Sequence, residues 1–397
     1  MRKYEQTHRW LSFKANLQSA PPSLWMNLGE AKSKCEHLAN EPLRPKTAKI
    51  LHNIFLAKGA LATTAIEGNT LTEEEVRQQI EGKLEVSPSR EYLKQEVENI
   101  INACNSIGEK LISGGGSGIG VETIRQFNRL VLDKLSLPKE TIPGQIRSFS
   151  ILVGPYRGAP AEDCEHLLIK LCDWIGGADF DPPMEAQRIP YAILKSIIAH
   201  LYLAWIHPFG DGNGRTARLV EFQILLAAGV PSPAAHLLSN HYNQTRQEYY
   251  RQLDIASKSG GDIVPFINYA VQGFVDGLKY QLSLVKVQQF DIVWRNFVHE
   301  SFNNQDGVSA RRQKCLGLEL GAKTESISIN KITELSPKVA KHYANKTIRT
   351  VQRDILSLEV HGIIAREKEG IRANREIILG FLPPTIKADD KKQMLLL

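Results

Sequence analysis

Paired cysteines are missing from this sequence of 397 residues: Cys35, Cys104, Cys164, Cys172 and Cys315 are odd in number and form no CxxC motif. That excludes a cysteine zinc site and a disulfide framework, and it suits structural thiols in a reducing cytoplasm. Long apolar runs are missing as well. The strongest, near residues 197–206, is broken by His200 and is too short to cross a bilayer, and the opening MRKYEQTHRW carries no apolar signal core. The expectation is a cytoplasmic chain with no membrane partner. Internal repeats are absent, and low complexity is confined to the glycine-rich stretch at 113–118, a flexible loop. With 42% apolar and 23% charged residues, disorder is excluded as the main theme.

Charge is unevenly placed. From Val285 onward the chain has 19 Lys and Arg against 13 Asp and Glu, so the whole excess of +6 lies in its last quarter. A neutral body with a basic end suggests two jobs, the second open to an anionic polymer or to ordinary solvation. The length also exceeds what one core usually organises, so at least two domains are expected.

Helical periodicity runs over 46–66, 92–111, 123–135, 164–175, 189–205, 215–228, 244–257 and 263–289. Thr72 to Glu75 matches a capping box that would open a further helix, and Gly68-Asn69 closes the helix before it. Between Pro143 and Pro160 the pattern alternates over 148–154 and then turns at 155–158, which reads as a small hairpin or flap. Near the end, Asn345 is placed to cap a helix that stops at Gly362, followed by short strands at 363–365 and 375–379 about a turn containing Gly370. Helix, strand, turn and strand predict a winged helix.

Chemistry concentrates in His207-Pro208-Phe209-Gly210-Asp211-Gly212-Asn213-Gly214-Arg215-Thr216-Ala217-Arg218, between two predicted helices. Gly212, Asn213 and Gly214 can turn backbone N–H groups inward at the positive end of the following helix, which makes an anion cradle. Arg215 and Arg218, three apart, share a face on which their forks can grip a polyphosphate. Asp211 supplies a hard carboxylate suited to Mg²⁺ held largely by substrate oxygens. His207, with an ordinary pKa of about 6.5, can take a proton from a hydroxyl. Phe209 reads as a core anchor.

The string HPFGDGNGRTAR matches the HxFx(D/E)GNGRxxR signature, and the chain resembles the Fic family of protein adenylyltransferases. Thr63-Thr64-Ala65-Ile66-Glu67-Gly68-Asn69 is similar to that family's inhibitory motif, residues 143–147 to its pre-flap segment, and 151–156 to its flap. The resemblance implies that His207 deprotonates a Ser, Thr or Tyr hydroxyl of a target protein, that Asp211 binds Mg²⁺, and that residues 212–215 hold the α- and β-phosphates of ATP. It implies that Arg218 reaches the γ-phosphate, that Val153, Gly154, Pro155 and Tyr156 clamp the target and border the nucleotide, and that Tyr249, Tyr250 and Ser257 lie near the base. Glu67, with Thr63, Gly68 and Asn69, would be the inhibitory element. A carboxylate at a helix C-terminus needs a compensating cation, and the resemblance names Arg218.

These readings predict a mainly α protein with a Fic-type helical core and a β-hairpin flap. The expected divisions are an N-terminal segment at 1–45, a catalytic domain at 46–289 with its inhibitory helix near 46–67, a winged helix at 290–382 and a tail at 383–397. The expected activity is AMP transfer from ATP to a protein hydroxyl. Removal of AMP, transfer of another phosphate-containing group, and a nucleotide-sensing DNA-binding regulator are the alternatives. Lys346, Arg349 and Arg353 leave DNA open as a partner, and a homodimer is left open too.

Overall fold

The computed structural model describes residues 2–379 except 155, 304 and 324. It divides into two compact units, Met1–Leu282 and Ser283–Leu397.

The first unit is helical. A short turn, α1 (Tyr4–Thr7), precedes α2 (Pro22–Asn40), α3 (Pro45–Ala65), α4 (Glu73–Ile80), α5 (Glu91–Ile112) and α6 (Val121–Val131). Strands β1 (Leu152–Val153) and β2 (Tyr156–Arg157) interrupt before α7 (Cys164–Ile175), α8 (Arg188–Ile206), α9 (Asn213–Ala227), α10 (Ser232–Ala235), α11 (Leu237–Gln244) and α12 (Arg246–Lys258). The first turns of α13 (Val264–Ser301) complete the unit. Pro45 opens α3, where its missing N–H costs nothing. Thr72 and Glu75 close a reciprocal capping box on α4. The central helix α8 is mostly apolar, as suits a helix buried on most of its faces, and it packs against α9.

Several sequence expectations are corrected. By length and composition Glu185–Ile206 could cross a membrane, a longer stretch than residues 197–206, but 72% of its most apolar window is buried inside the protein. The single helix expected at 244–257 is preceded by α10 and α11, of four and eight residues, too short to show a helical period. The alternating stretch at 148–154 pairs only through Leu152↔Arg157 and Val153↔Tyr156.

The second unit packs Trp294 and Val298 of α13, and Phe302 just past its end, against α14 (Val308–Gly321), α15 (Pro337–Tyr343) and α16 (Ile348–Val360). Strands β3 (Ile364–Glu367) and β4 (Gly370–Ala373) form an antiparallel hairpin, and Ile327 bridges to Ile371 at its edge. The N-cap of α16 is Thr347, not Asn345. Gly370 begins β4 instead of sitting in the turn, and 375–378, expected as a strand, forms a 3₁₀ turn. The shift follows from pairing: Ile364↔Ala373 places Ile364 and Ile371 on the buried face. Under them Asp354 accepts from Arg312, Gln313 and Tyr343, tying α14, α15 and α16 together. The tail expected at 383–397 lies outside the described residues.

Candidate active site

The site is built where α8 stops. His207 takes a left-handed backbone, φ 49° and ψ 60°, which ends the helix and turns the chain toward α9. Gly212 is left-handed too, φ 74°, and a side chain there would crowd Asn128 and Val131 of α6 and Leu132 just past its end. Asn213 braces the loop with both ends of its amide: Oδ1 accepts from Phe209 N–H at 2.9 Å and Nδ2 donates to Phe209 C=O at 2.8 Å. Its side chain is therefore spent on the loop, and only its backbone is available to an anion. Asn128, fully buried, donates to Asp211 C=O at 2.9 Å and accepts from Gly144 N–H at 2.9 Å. Sequence reasoning missed it, since a mid-helix asparagine carries no motif signal.

A buried cation shapes the flap. Arg147 donates to His207 C=O at 2.7 Å, Phe149 C=O at 2.5 Å and Ala159 C=O at 2.5 Å, and its own N–H donates to Pro208 C=O at 3.0 Å. One guanidinium thus fixes both ends of the flap to the turn that carries the imidazole. Within the flap, Val153 is exposed, Gly154 turns at φ 56°, and Tyr156 points inward to donate to Trp205 C=O at 2.8 Å. Pro155 lies outside the described residues.

Among the described residues the His207 ring bonds through Nδ1 to Ala204 C=O at 3.3 Å. Nδ1 must donate there, which leaves Nε2 unprotonated in the neutral ring. Burial pushes the imidazole down to about 4, with Arg147 adding to the effect. The ring is thus neutral across the physiological range, further toward a base than its ordinary pKa implies. The cysteines offer no rival nucleophile; burial pushes Cys35 and Cys104 up to about 12.

Both arginines of the motif are almost fully buried. Arg218 donates from Nη2 to Glu67 Oε1 at 2.5 Å and to Thr63 C=O at 2.9 Å. Arg215 donates to Glu96 Oε1 at 3.1 Å and Asp211 Oδ1 at 3.3 Å. Crowding of the two cations is therefore relieved by carboxylates of the chain itself, including Glu96 of α5, which no motif flagged. Burial alone would raise the Glu67 carboxyl, but the charge and hydrogen bond of Arg218 overcome it and hold it below the usual range. The Nε–H groups of Arg215 and Arg218 are buried with no acceptor among the described residues, and the first N–H groups of α9 have no intrahelical partner. Such an assembly suits an anion with several oxygens. Asp211, about half exposed, is the carboxylate beside it, which fits a Mg²⁺ held mostly by phosphate oxygens; no cluster of three metal-ligating side chains exists among the described residues.

The end of α3 is held close to this site. Gly68 is left-handed at φ 105°, Thr63 is buried, and Asn69 donates to Leu93 C=O and Glu96 Oε2, both at 2.9 Å. A Cβ on Gly214 would fall 2.2 Å from Glu67 Oε1, so the glycine makes room for the glutamate. Of the remaining candidates, Tyr250 is exposed, with its hydroxyl 3.4 Å from Ile66 C=O. Tyr249 is buried, its hydroxyl 2.9 Å from His200 Nε2 and its ring stacked on Tyr242, and the charges of Arg218 and Glu67 both reach its phenol. Ser257 donates to Asp254 C=O at 3.0 Å and lines a cavity of about 550 Å³ with Trp10, Tyr156, Arg157 and Lys258.

The Fic/DOC family model matches residues 119–225, from the approach to α6 through most of α9. The protein adenylyltransferase Fic of Nematostella vectensis is 34% identical over 211 residues, covering 53% of this chain and 45% of that protein. The protein adenylyltransferase fic-1 of Caenorhabditis elegans is 29% identical over 231 residues, 58% of this chain and 42% of its own. The chain spans less than half the length of these curated relatives. Among solved structures, Fic-1 (residues 134–508) from C. elegans superposes with a TM-score of 0.53 at 25% identity, covering 66% of this chain and 73% of that one. A Fic family protein from Desulfovibrio desulfuricans G20 superposes with a TM-score of 0.54 over 91% of this chain and 98% of that one; at 20% identity it speaks to the fold alone.

Proposed function

From a chain that carries a Fic domain, we propose that this protein transfers AMP from ATP to a hydroxyl side chain of a target protein and that Glu67 restrains the transfer. The observation that carries the reading is the pairing of a neutral imidazole with two buried guanidinium groups at the N-terminus of α9.

The polyphosphate would lie on the first N–H groups of α9, with Arg215 and Arg218 neutralising its charge. His207 Nε2 accepts the proton of the attacking Ser, Thr or Tyr. The hydroxyl oxygen bonds to the α-phosphorus, the bond to the β-phosphate oxygen breaks, and pyrophosphate leaves with the electron pair. Asp211 would hold Mg²⁺, which supplies charge neutralisation to the phosphates when bound. Alignment and electrostatics suffice for such a step, so the rigid bracing by Arg147 and Asn213 is what the chemistry asks of the scaffold. On the same reading Val153, Gly154 and Tyr156 of the flap would clamp the target, and Tyr249, Tyr250 and Ser257 would lie near the base; the β1–β2 pairing supports the flap.

Restraint is read from geometry: while Glu67 occupies Arg218, the terminal phosphate of ATP loses that partner. The test is incubation with labelled ATP and Mg²⁺, comparing wild type, Glu67→Gly and His207→Ala within the Glu67→Gly background. Label on protein in Glu67→Gly and its loss on adding His207→Ala, with ATP still bound, supports the proposal. Transfer at an undiminished rate without His207 refutes it.

A second reading is favoured by one feature. The Glu67 carboxylate is held ionised by Arg218 beside the motif that carries His207, a placement that could align water for removal of AMP. Release of AMP from a modified target by wild type, lost in Glu67→Gly, would select it. For the second unit, a winged helix with DNA contacts is read from exposed Arg349 and Arg353 on α16, which form no ion pair among the described residues. The hairpin adds less, because Arg366 and Arg372 are paired with Glu359 and Glu376.

A further inference from the structure

Arg215 is nearly fully buried, and a buried guanidinium needs a fixed anion. Of its two carboxylate partners, Asp211 is about half exposed, sits on the loop, and is the group that would turn to a metal ion. Glu96 differs on each count. It projects from the second turn of α5, is largely buried, and has both oxygens committed: Oε1 accepts from Arg215 Nη1 at 3.1 Å, and Oε2 accepts from Asn69 Nδ2 at 2.9 Å. Asn69 is itself pinned, donating to Leu93 C=O at 2.9 Å and accepting from Leu71 N–H at 3.0 Å. The carboxylate therefore cannot follow the arginine if the arginine moves.

We propose that Glu96 is a positioning residue of the nucleotide site: it holds Arg215 by Nη1, so that the opposite edge of the guanidinium is presented to the phosphates, and it anchors that arginine through Asn69 to the segment carrying Glu67. This rests on the reading of the motif as a nucleotide site. Both phosphate-gripping arginines are then tied to one stretch of chain, Arg218 directly through Glu67 and Thr63, and Arg215 through Glu96 and Asn69. The two ties act differently. Glu67 takes the edge that the nucleotide needs, whereas Glu96 takes the far edge and leaves the near one oriented. Removing Glu67 should help ATP; removing Glu96 should hurt it.

The experiment measures equilibrium binding of Mg²⁺-ATP and, separately, KM and kcat for label transfer, in the full chain with Glu67→Gly as the reference. Glu96→Gln keeps the size but drops the charge and forces an N–H against a donor. A charge-assisted bond of this kind predicts ATP binding weakened about tenfold or more, in KM more than in kcat. In an Arg215→Ala background the same Glu96→Gln change should cost nothing further, because no guanidinium is left to orient. Asn69→Ser, a milder break of the same chain, should move KM in the same direction by less, and it serves if Glu96→Gln fails to fold. Unchanged ATP affinity in folded Glu96→Gln overturns the proposal. So does an equal loss with or without Arg215, which would mark Glu96 as a merely structural residue. Normal ATP binding with no transfer in the reference protein would instead count against the AMP-transfer reading and leave the role of Glu96 standing.

Discussion

Replacing Glu67 by glycine should do two opposite things to the protein. Without nucleotide it removes the carboxylate from Arg218, whose side chain is 1% exposed, and leaves that cation with the Thr63 carbonyl as its acceptor among the described residues. Breaking a fully buried pair costs about 3–5 kcal/mol, and an exposed pair is worth about 0.2–1 kcal/mol. The Glu67 side chain is 35% exposed, so solvent screens part of the interaction. An intermediate loss of about 1–3 kcal/mol is expected, seen as a Tm lower by a few degrees. With ATP the sign reverses. The energy that held Glu67 on Arg218 no longer opposes the γ-phosphate, and about 1–3 kcal/mol corresponds to a gain of about 5- to 150-fold in productive ATP binding and transfer. Two assays read this: thermal melting with and without Mg²⁺-ATP, and label transfer at limiting ATP. The variant should melt lower alone, gain more from ATP than wild type, and transfer faster. Glu67→Gln should fall between the two. Equal ATP-induced shifts and equal transfer in wild type and Glu67→Gly, at matched folding, would refute the competition between Glu67 and phosphate.

Other outcomes follow from the same geometry. Gly214→Ala should destabilise the nucleotide-free protein when Glu67 is present and much less in Glu67→Gly, because its Cβ would meet Glu67 Oε1 at 2.2 Å; additive losses in a melting cycle would contradict this. Arg147→Lys leaves several buried carbonyls unmet and should cost about 2–4 kcal/mol, lowering kcat while ATP affinity holds, since the flap and His207 move but α9 does not; urea melts and kinetics check it. The His207 imidazole should stay neutral from pH 7.5 down to about 5 in ring-nitrogen NMR of the free protein, and because its folded pKa is depressed to about 4, it should withdraw stability only as pH falls from about 6.5 toward 4. If the second unit binds DNA through phosphates, Arg349→Ala with Arg353→Ala should weaken binding to all sequences and flatten its salt dependence, which titrations at several salt concentrations measure.

The sequence by itself determined the local devices. The capping box of Thr72 and Glu75, the proline that opens α3, the left-handed Gly68 and the mostly apolar α8 follow from neighbours a few residues apart, which fixes them before the chain closes. The motif at 207–218 was legible for the same reason, because its histidine, loop and arginines lie within twelve residues. Partners from distant positions were decided only by tertiary structure. Glu96 lies 119 positions from Arg215, and Arg147 lies 60 from His207. No spacing rule links such pairs, and glutamates and arginines of this kind are ordinarily solvated. Only packing of α5, α6 and the flap around α9 removes the water that would otherwise satisfy them, and each buried charge then has to find its bond within the protein. The protonation of His207 was decided the same way: the residue supplied the titratable group, and burial moved it from about 6.5 to about 4.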